Sequence, residues 1–409
     1  MRYELRELSN GLPVILSVMP DAPRLSLAVA FNGGVLRETL PGISKLANHL
    51  LTKGTERRDA ETLARDLDEH AIDLHDLSLA DCAILEAAFL PRELPVVLDI
   101  LEDIILHSTF ADFEKERTKL AGEIQASLDL PAEQAADLLT RTLFPHHPYG
   151  NSGMRYLEAL ESYSQEQVQA WYAAGLQPRQ MNITLVGNFD PDELFPQIRD
   201  HFSGITGDDR AAVRVPVASL AENHIVTEAR ADANQAQVLQ GWLAPPLGAP
   251  EQPAMAVMNT ILGGAGLSSR LFVELRDKQG MAYSVRSQYT PMRQVGEFVM
   301  SIGTSPENVA RARQGFTEQL TRMQDEPITP DELAYAKGRL RGSYVLSHET
   351  SNQRCLDMTS KQINGLCPNY GEIMLQRIEG VTVAEVQAAA RSLPAHSVTA
   401  IVAPESALA

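Results

Sequence analysis

Apolar residues alternate from the first residues of the chain. Tyr3, Leu5 and Leu8, then Leu12, Val14, Leu16 and Val18, flank Asn10-Gly11. Near-period-two spacing about Asn-Gly predicts two strands joined by a two-residue type I′ turn. The apolar run 25–31 predicts a third strand, ended by Asn32-Gly33-Gly34. Pro41-Gly42 opens a helix to about residue 52, with Leu46, Leu50 and Leu51 on its apolar side. A helix over 60–70 leads into a strand pair within 72–90. After Pro91, residues Val96, Val97, Ile100, Leu101, Ile104 and Ile105 recur at helical spacing. Further helices are predicted over 112–128 and 163–175, and a strand over 181–187.

Periodicity fades through 204–222 and then the pattern repeats. Val168-Gln169-Ala170 recurs as Val386-Gln387-Ala388, and each copy is followed by a short apolar strand, at 183–187 and 399–403. Near the start of each half a strand (25–31; 237–243) precedes a helix (42–52; 253–262) that ends in a glycine turn. Repeated order at both ends of the match indicates duplication rather than chance. The chain is therefore expected to be α+β, with two homologous domains at 1–205 and 223–409 and a linker at 206–222. Each domain would be a mostly antiparallel sheet with helices packed on one face. A long helix over 331–349 is read as amphipathic, with Ala334, Leu340, Tyr344 and Leu346 turned to the core.

Length and composition fit this division. The chain has 409 residues, 44% of them hydrophobic, enough for more than one core. No apolar run approaches the roughly 18 residues of a membrane span, and Met1-Arg2-Tyr3-Glu4-Leu5-Arg6 lacks a signal-peptide core. The expected compartment is the cytoplasm, or the periplasm if a signal was removed ahead of this numbering. A net charge of −18 without basic clusters argues against nucleic acid and anionic membranes as partners. Cys82, Cys355 and Cys367 are scattered, with no C-x-x-C pair and no disulfide framework.

Within the helix at 42–55, positions 45 and 49 lie one turn apart on the same face. Two histidines there, with a glutamate at 48, would make H-x-x-E-H, which binds Zn²⁺ and supplies a general base. Here the residues are Lys45, Asn48 and His49. Lysine is a poor zinc ligand at neutral pH, asparagine cannot take a proton from water, and a lone helical histidine is more often structural than ligating.

The string from Gly42 through His49 to Lys53-Gly54-Thr55 nevertheless resembles the insulinase- and pitrilysin-type zinc peptidases, including the mitochondrial processing peptidase and its bacterial relatives. In that family H-x-x-E-H is followed by a third ligand, a glutamate in a helix reading E-R-x-x-x-x-x-E. Glu116-Arg117 through Glu123 matches it, as do His147-Pro148-Tyr149-Gly150 and Gly187-Asn188-Phe189-Asp190. The resemblance runs from Asn10-Gly11-Leu12 to the last strand, and implies a fold like that of LuxS and the mitochondrial processing peptidase. Carried onto this chain, it leaves His49 and Glu123 as residual ligand positions, Lys45 in place of the third, and Asn48 in place of the base. Such a degenerate motif implies no metal in this chain. A salt bridge between Lys45 and Glu123 is expected where the metal would lie.

The second half carries Gly263-Gly264-Ala265-Gly266, then Arg276 and Tyr283. The glycines lack the Gly-Lys-Ser/Thr ending of a phosphate loop and do not fit G-x-G-x-x-G. Read alone, Arg276 is a helix surface residue and Tyr283 a strand residue. The resemblance implies more, because catalytic family members carry an Arg and a Tyr at this spacing. These reach over a zinc site supplied by the other half or by a partner chain. An arginine and a phenol can donate hydrogen bonds to substrate carbonyls and to a developing oxyanion. The segment 72–77 resembles the family's edge strand, on which a peptide adds as an extra strand.

A dismantled zinc helix beside a complete Arg–Tyr pair suggests divided labour. The chain is expected to be the non-catalytic subunit of a heterodimeric zinc endopeptidase acting on small or unfolded peptides. Its expected partner is a homologous subunit carrying intact H-x-x-E-H and the zinc. Two alternatives stay open at this point: a structural or peptide-binding homologue, like the core subunits of a respiratory complex, and an independent enzyme with another metal arrangement.

Overall fold

The computed structural model describes residues 2–207 and 213–408. The chain forms two compact units, each drawing segments from both halves of the sequence. One gathers Met1–Glu123, Arg155–Val213 and Val345–Glu372; the other gathers Ile124–Met154, Arg214–Tyr344 and Ile373–Ala409. Of the linker expected at 206–222, residues 208–212 lie outside the described residues. Among the described residues no helix is long and apolar enough to cross a membrane.

The first unit holds six strands: β1 (Glu4–Glu7), β2 (Pro13–Val18), β3 (Leu25–Phe31), β4 (Asp73–Ser78), β5 (Ala83–Phe89) and β6 (Met181–Gly187). Their order across the sheet is β1-β2-β6-β3-β5-β4. The second unit holds β7 (His224–Ala229), β8 (Ala236–Ala244), β9 (Ala282–Thr290), β10 (Gly296–Thr304) and β11 (Val398–Ala403), ordered β7-β11-β8-β10-β9. The sheets share one plan. β6 runs parallel to β2 and antiparallel to β3, as β11 does to β7 and β8. The repeated Val-Gln-Ala lies in helices Gln165–Ala173 and Val383–Ser392, each opened by a capping box, at Ser164 and Thr382. The duplication read from the sequence is thus a duplication of topology, with an added edge strand, β1.

Every residue of β3, β5 and β6 is buried, so that sheet is covered on both faces. Part of the cover comes from helix Ser351–Ile363, far along the chain. Its Cys355 and Met358 pack with Ile15, Ala28, Ala30 and Ile84. Asn182 Nδ2 donates to the Thr359 carbonyl at 3.1 Å. The converse holds in the second unit. Helix Pro131–Leu143, from the first half of the chain, lies against β8, where Gly241 has no side chain to obstruct Leu139. The opposite face of β8 carries Val238 and Trp242 into a core with Met255, Phe298 and Phe316.

Two local expectations fail for identifiable reasons. The β1–β2 connection is not a type I′ turn, since that turn needs positive φ at both central residues. Only Gly11 has it, at +84°. Asn10 instead donates to the carbonyls of Phe202 and Ile205 at 2.9 and 3.0 Å and accepts from the Leu12 N–H at 3.2 Å. The helix predicted at 331–349 forms as Pro330–Leu346 but buries only Ala336. Ala334 and Leu346 are exposed, and Leu340 is only partly covered. The predicted apolar face is therefore not a core face.

Candidate functional site

Helix Ile43–Leu50 starts at Gly42, whose φ of +88° an L side chain would strain to adopt. The Glu38 carboxylate accepts from the N–H groups of Gly42 and Ser44 at 3.1 and 3.3 Å and from the Ser44 hydroxyl. A negative group here complements the helix dipole. Leu46 and Leu50 are fully buried and fix the rotation of the helix. That rotation turns Asn48 inward, 2% exposed, and leaves Lys45 in solvent. Asn48 Nδ2 donates to Ser78 Oγ at 3.0 Å, tying the helix to the end of edge strand β4, while its buried Oδ1 has no hydrogen-bond partner among the described residues.

His49 does not face Glu123. Its Nε2 lies 2.9 Å from Glu116 Oε2, and Lys53 Nζ lies 3.6 Å from the same oxygen. Burial opposes ionisation of Glu116, but the His49 hydrogen bond and the Lys53 charge outweigh it and hold the carboxyl below its ordinary range. Glu123 has a side chain 53% exposed and sits 3.9 Å from Lys119, its neighbour one turn back. The expected Lys45–Glu123 bridge is therefore replaced by a His49–Glu116–Lys53 cluster. Glu116 and Glu123 are seven residues apart, nearly two full turns, so they share a stripe of helix Phe113–Leu128 about 10 Å apart. Spacing alone could not choose between them. Lys53 was visible only as part of Lys-Gly-Thr.

The segment carrying Arg276 is shaped by glycine and by two π turns. Helix Gln252–Asn259 widens into a π turn at Thr260–Gly264. A Cβ on Gly263 would meet the Ser287 nitrogen of β9 at 2.3 Å, so this glycine is required by close approach. A second π turn, Phe272–Asp277, follows, with the Val273 carbonyl accepting from the Lys278 N–H at 3.0 Å. π turns of this kind cluster at functional sites. Leu275 anchors the turn against Gly315, where a Cβ would come within 2.5 Å. Gly280, at φ +62°, then reverses the chain into β9.

Tyr283 is the extra residue of a β-bulge. Ser284 pairs with Gly303 and Ala282 with Thr304, leaving Tyr283 unmatched between them on an edge strand. Bulges re-aim side chains, and Tyr283 is 82% exposed. The Arg276 guanidinium carbon lies 4.5 Å from the centroid of the Phe272 ring and 5.3 Å from that of Tyr283. Among the described residues the Arg276 side chain makes no hydrogen bond or ion pair, so its N–H donors are uncommitted. Tyr283 also lines a cavity of about 520 Å³ over β8–β10, beside helix Pro131–Leu143, with Thr140, Gln237, Arg286 and Glu297 in its walls. Burial raises the Glu297 carboxyl above its ordinary range.

Comparison with known proteins places the chain in a family. Residues 14–155 match the family model described as insulinase (peptidase family M16), and residues 162–340 match that of the peptidase M16 inactive domain. An uncharacterized zinc protease of Mycobacterium tuberculosis is 31% identical over 392 residues, spanning 94% of this chain and 89% of that protein. The chain belongs to peptidase family M16. In fold, the M16 chain superimposes on a protease from Helicobacter pylori with a TM-score of 0.92 at 18% identity, covering 98% of this chain and 99% of that one. The peptidase M16 inactive domain structure from Pseudomonas fluorescens gives 0.88 at 20% identity, with 99% and 98% covered.

The family implies zinc, and the residues of this chain do not suit it. Lys45 puts an ammonium where a ligand would stand, His49 is engaged by Glu116, and Glu123 is turned to solvent beside Lys119. Among the described residues no three His, Cys, Asp or Glu side chains gather as a metal would require.

Proposed function

We propose that this M16 chain is the non-catalytic subunit of a two-chain zinc endopeptidase, and that it lends Arg276 and Tyr283 to the active site of a homologous partner. The observation that carries the reading is an asymmetry of engagement. At the metal-helix positions His49 is engaged by Glu116 and Asn48 by Ser78, while Lys45, whose ammonium suits no metal, stands in solvent. Arg276, by contrast, lies over the Phe272 and Tyr283 rings, and among the described residues its side-chain donors and the Tyr283 hydroxyl are open.

The division of chemistry follows from the donor set. The partner supplies H-x-x-E-H, the distal glutamate and the zinc. In this chain the Arg276 N–H groups donate to carbonyls of the bound peptide and fix its register. The Tyr283 O–H donates to the scissile carbonyl oxygen as negative charge develops there. The cavity beside Tyr283 takes flanking peptide residues. Substrates are small, flexible or unfolded peptides, which can offer an extended backbone to these donors.

The test is reconstitution. The purified chain alone should not hydrolyse peptides, and adding the M16 chain with intact H-x-x-E-H from the same organism should restore hydrolysis. Arg276→Ala or Tyr283→Phe in the mixture should lower kcat/KM by about tenfold or more. Full turnover by both variants would overturn the role of the pair. A purely structural homologue would give no recovery with any partner.

A further inference from the structure

We infer that Phe272 is the positioning residue for Arg276, acting through an aromatic stack that aims the guanidinium while leaving every N–H free. The inference rests on the reading of Arg276 as a substrate ligand. An arginine that must bind carbonyls precisely is usually fixed by a carboxylate, which consumes the donors it orients. Among the described residues no carboxylate holds it. The guanidinium carbon lies 4.5 Å from one ring centroid and 5.3 Å from another. Stacking uses the faces of the cation, and its N–H bonds radiate in the plane, so the two kinds of contact do not compete.

The two rings are not equivalent. Tyr283 is 82% exposed, so the core does not pack its ring in place. Phe272 is buried among Leu271, Leu275 and Phe316 in the core of the second unit. It also shares the π turn with Arg276, so the backbone sets their separation. Phe272 is therefore the ring that packing fixes beneath the guanidinium. Of the two acidic residues of this turn, Glu274 pairs with Lys278 at 2.9 Å and with Arg322 at 3.4 Å, and Asp277, next to Arg276 in the chain, is exposed and forms no ion pair with it.

The test is a double-variant cycle in the reconstituted two-chain enzyme. Phe272→Leu, which keeps apolar bulk but loses the ring, should lower kcat/KM about tenfold, the scale of a partly desolvated cation–π contact. Phe272→Tyr, which restores a ring, should recover activity to within about threefold of the parent. In an Arg276→Ala background, Phe272→Leu should have no further effect. Equal losses from Phe272→Leu in both backgrounds, or full activity of Phe272→Leu where Arg276→Ala is impaired, would overturn the positioning role and leave the function of Arg276 standing. Full activity of Arg276→Ala itself would instead refute the function on which the inference rests. Phe272→Met serves in the same cycle should the leucine variant fail to fold, as read by thermal melting of the single chain.

Discussion

Glu86 is 1% exposed, on β5, an interior strand of its sheet, and among the described residues one of its oxygens has no hydrogen-bond partner. Burial is the main cause that raises its pKa to about 7, with Asp73 adding to it and His75, Asn352 and Arg24 opposing it. The folded chain therefore favours the protonated form, while the unfolded carboxyl ionises near its ordinary 4.5. Stability should fall as pH rises from about 4.5 to about 7 and level off above that. Glu86→Gln removes the ionisation, so it should stabilise the protein by up to about 3 kcal/mol at pH 8 and by almost nothing near pH 4.5. Denaturant melts at the two pH values check this; an equal gain at both would mean that ionisation is not the cause. None of this was legible in the sequence, where Glu86 is one carboxylate in an apolar run. Its burial depends on helix Ser351–Ile363, whose docking no local pattern announces. Lys45 and Asn48 were legible, because their chemistry disqualifies them as ligand and base whatever surrounds them. Glu116 was not, because two glutamates on one helical stripe differ only in what stands opposite.

Among elements, the strands and most helices followed from periodicity, since burial on one or both faces imposes it directly. The exceptions are elements set by tertiary contact. The π turn at Thr260–Gly264 arises where Gly263 lets the backbone crowd β9, and that at Phe272–Asp277 where Gly315 leaves room for Leu275. Helix Pro330–Leu346 forms from good helix formers despite burying only Ala336. Two glycine substitutions separate these cases. Gly263→Ala forces a Cβ into the backbone of Ser287 and should destabilise by about 1–3 kcal/mol. It should also lower activity in the two-chain mixture, because the turn it displaces leads to Arg276. A Cβ on Gly338, inside Pro330–Leu346, would meet nothing within 4 Å. Gly338→Ala should therefore stabilise by about 0.5–1 kcal/mol without changing turnover. Thermal melts and peptide assays of the two variants check both signs; a stable, active Gly263→Ala would show that the close approach is not required.

At the scale of the molecule, duplication explains the paired sheets but not the exchange of helices between the two halves of the chain. The first sheet draws helix Ser351–Ile363 from the second half, and the second sheet draws helix Pro131–Leu143 from the first. Each donated helix covers a face that is otherwise apolar or holds an uncompensated group. Without Ser351–Ile363, Ala28, Ala30 and Ile84 lose Cys355 and Met358, and Asn182 loses the Thr359 carbonyl. The contiguous halves should therefore not be autonomous, although sequence periodicity divides them at the linker. Fragments 1–207 and 213–409, expressed separately, should each bind a hydrophobic dye and melt without a cooperative transition. Mixed as unfolded chains and refolded together, they should recover a cooperative melt and, on the proposed function, peptide hydrolysis in the two-chain mixture. Removing Ser351–Ile363 from the second fragment should abolish that recovery. Cooperative folding of fragment 1–207 alone would show that the exchanged helix adds stability to the first unit without being needed to form it.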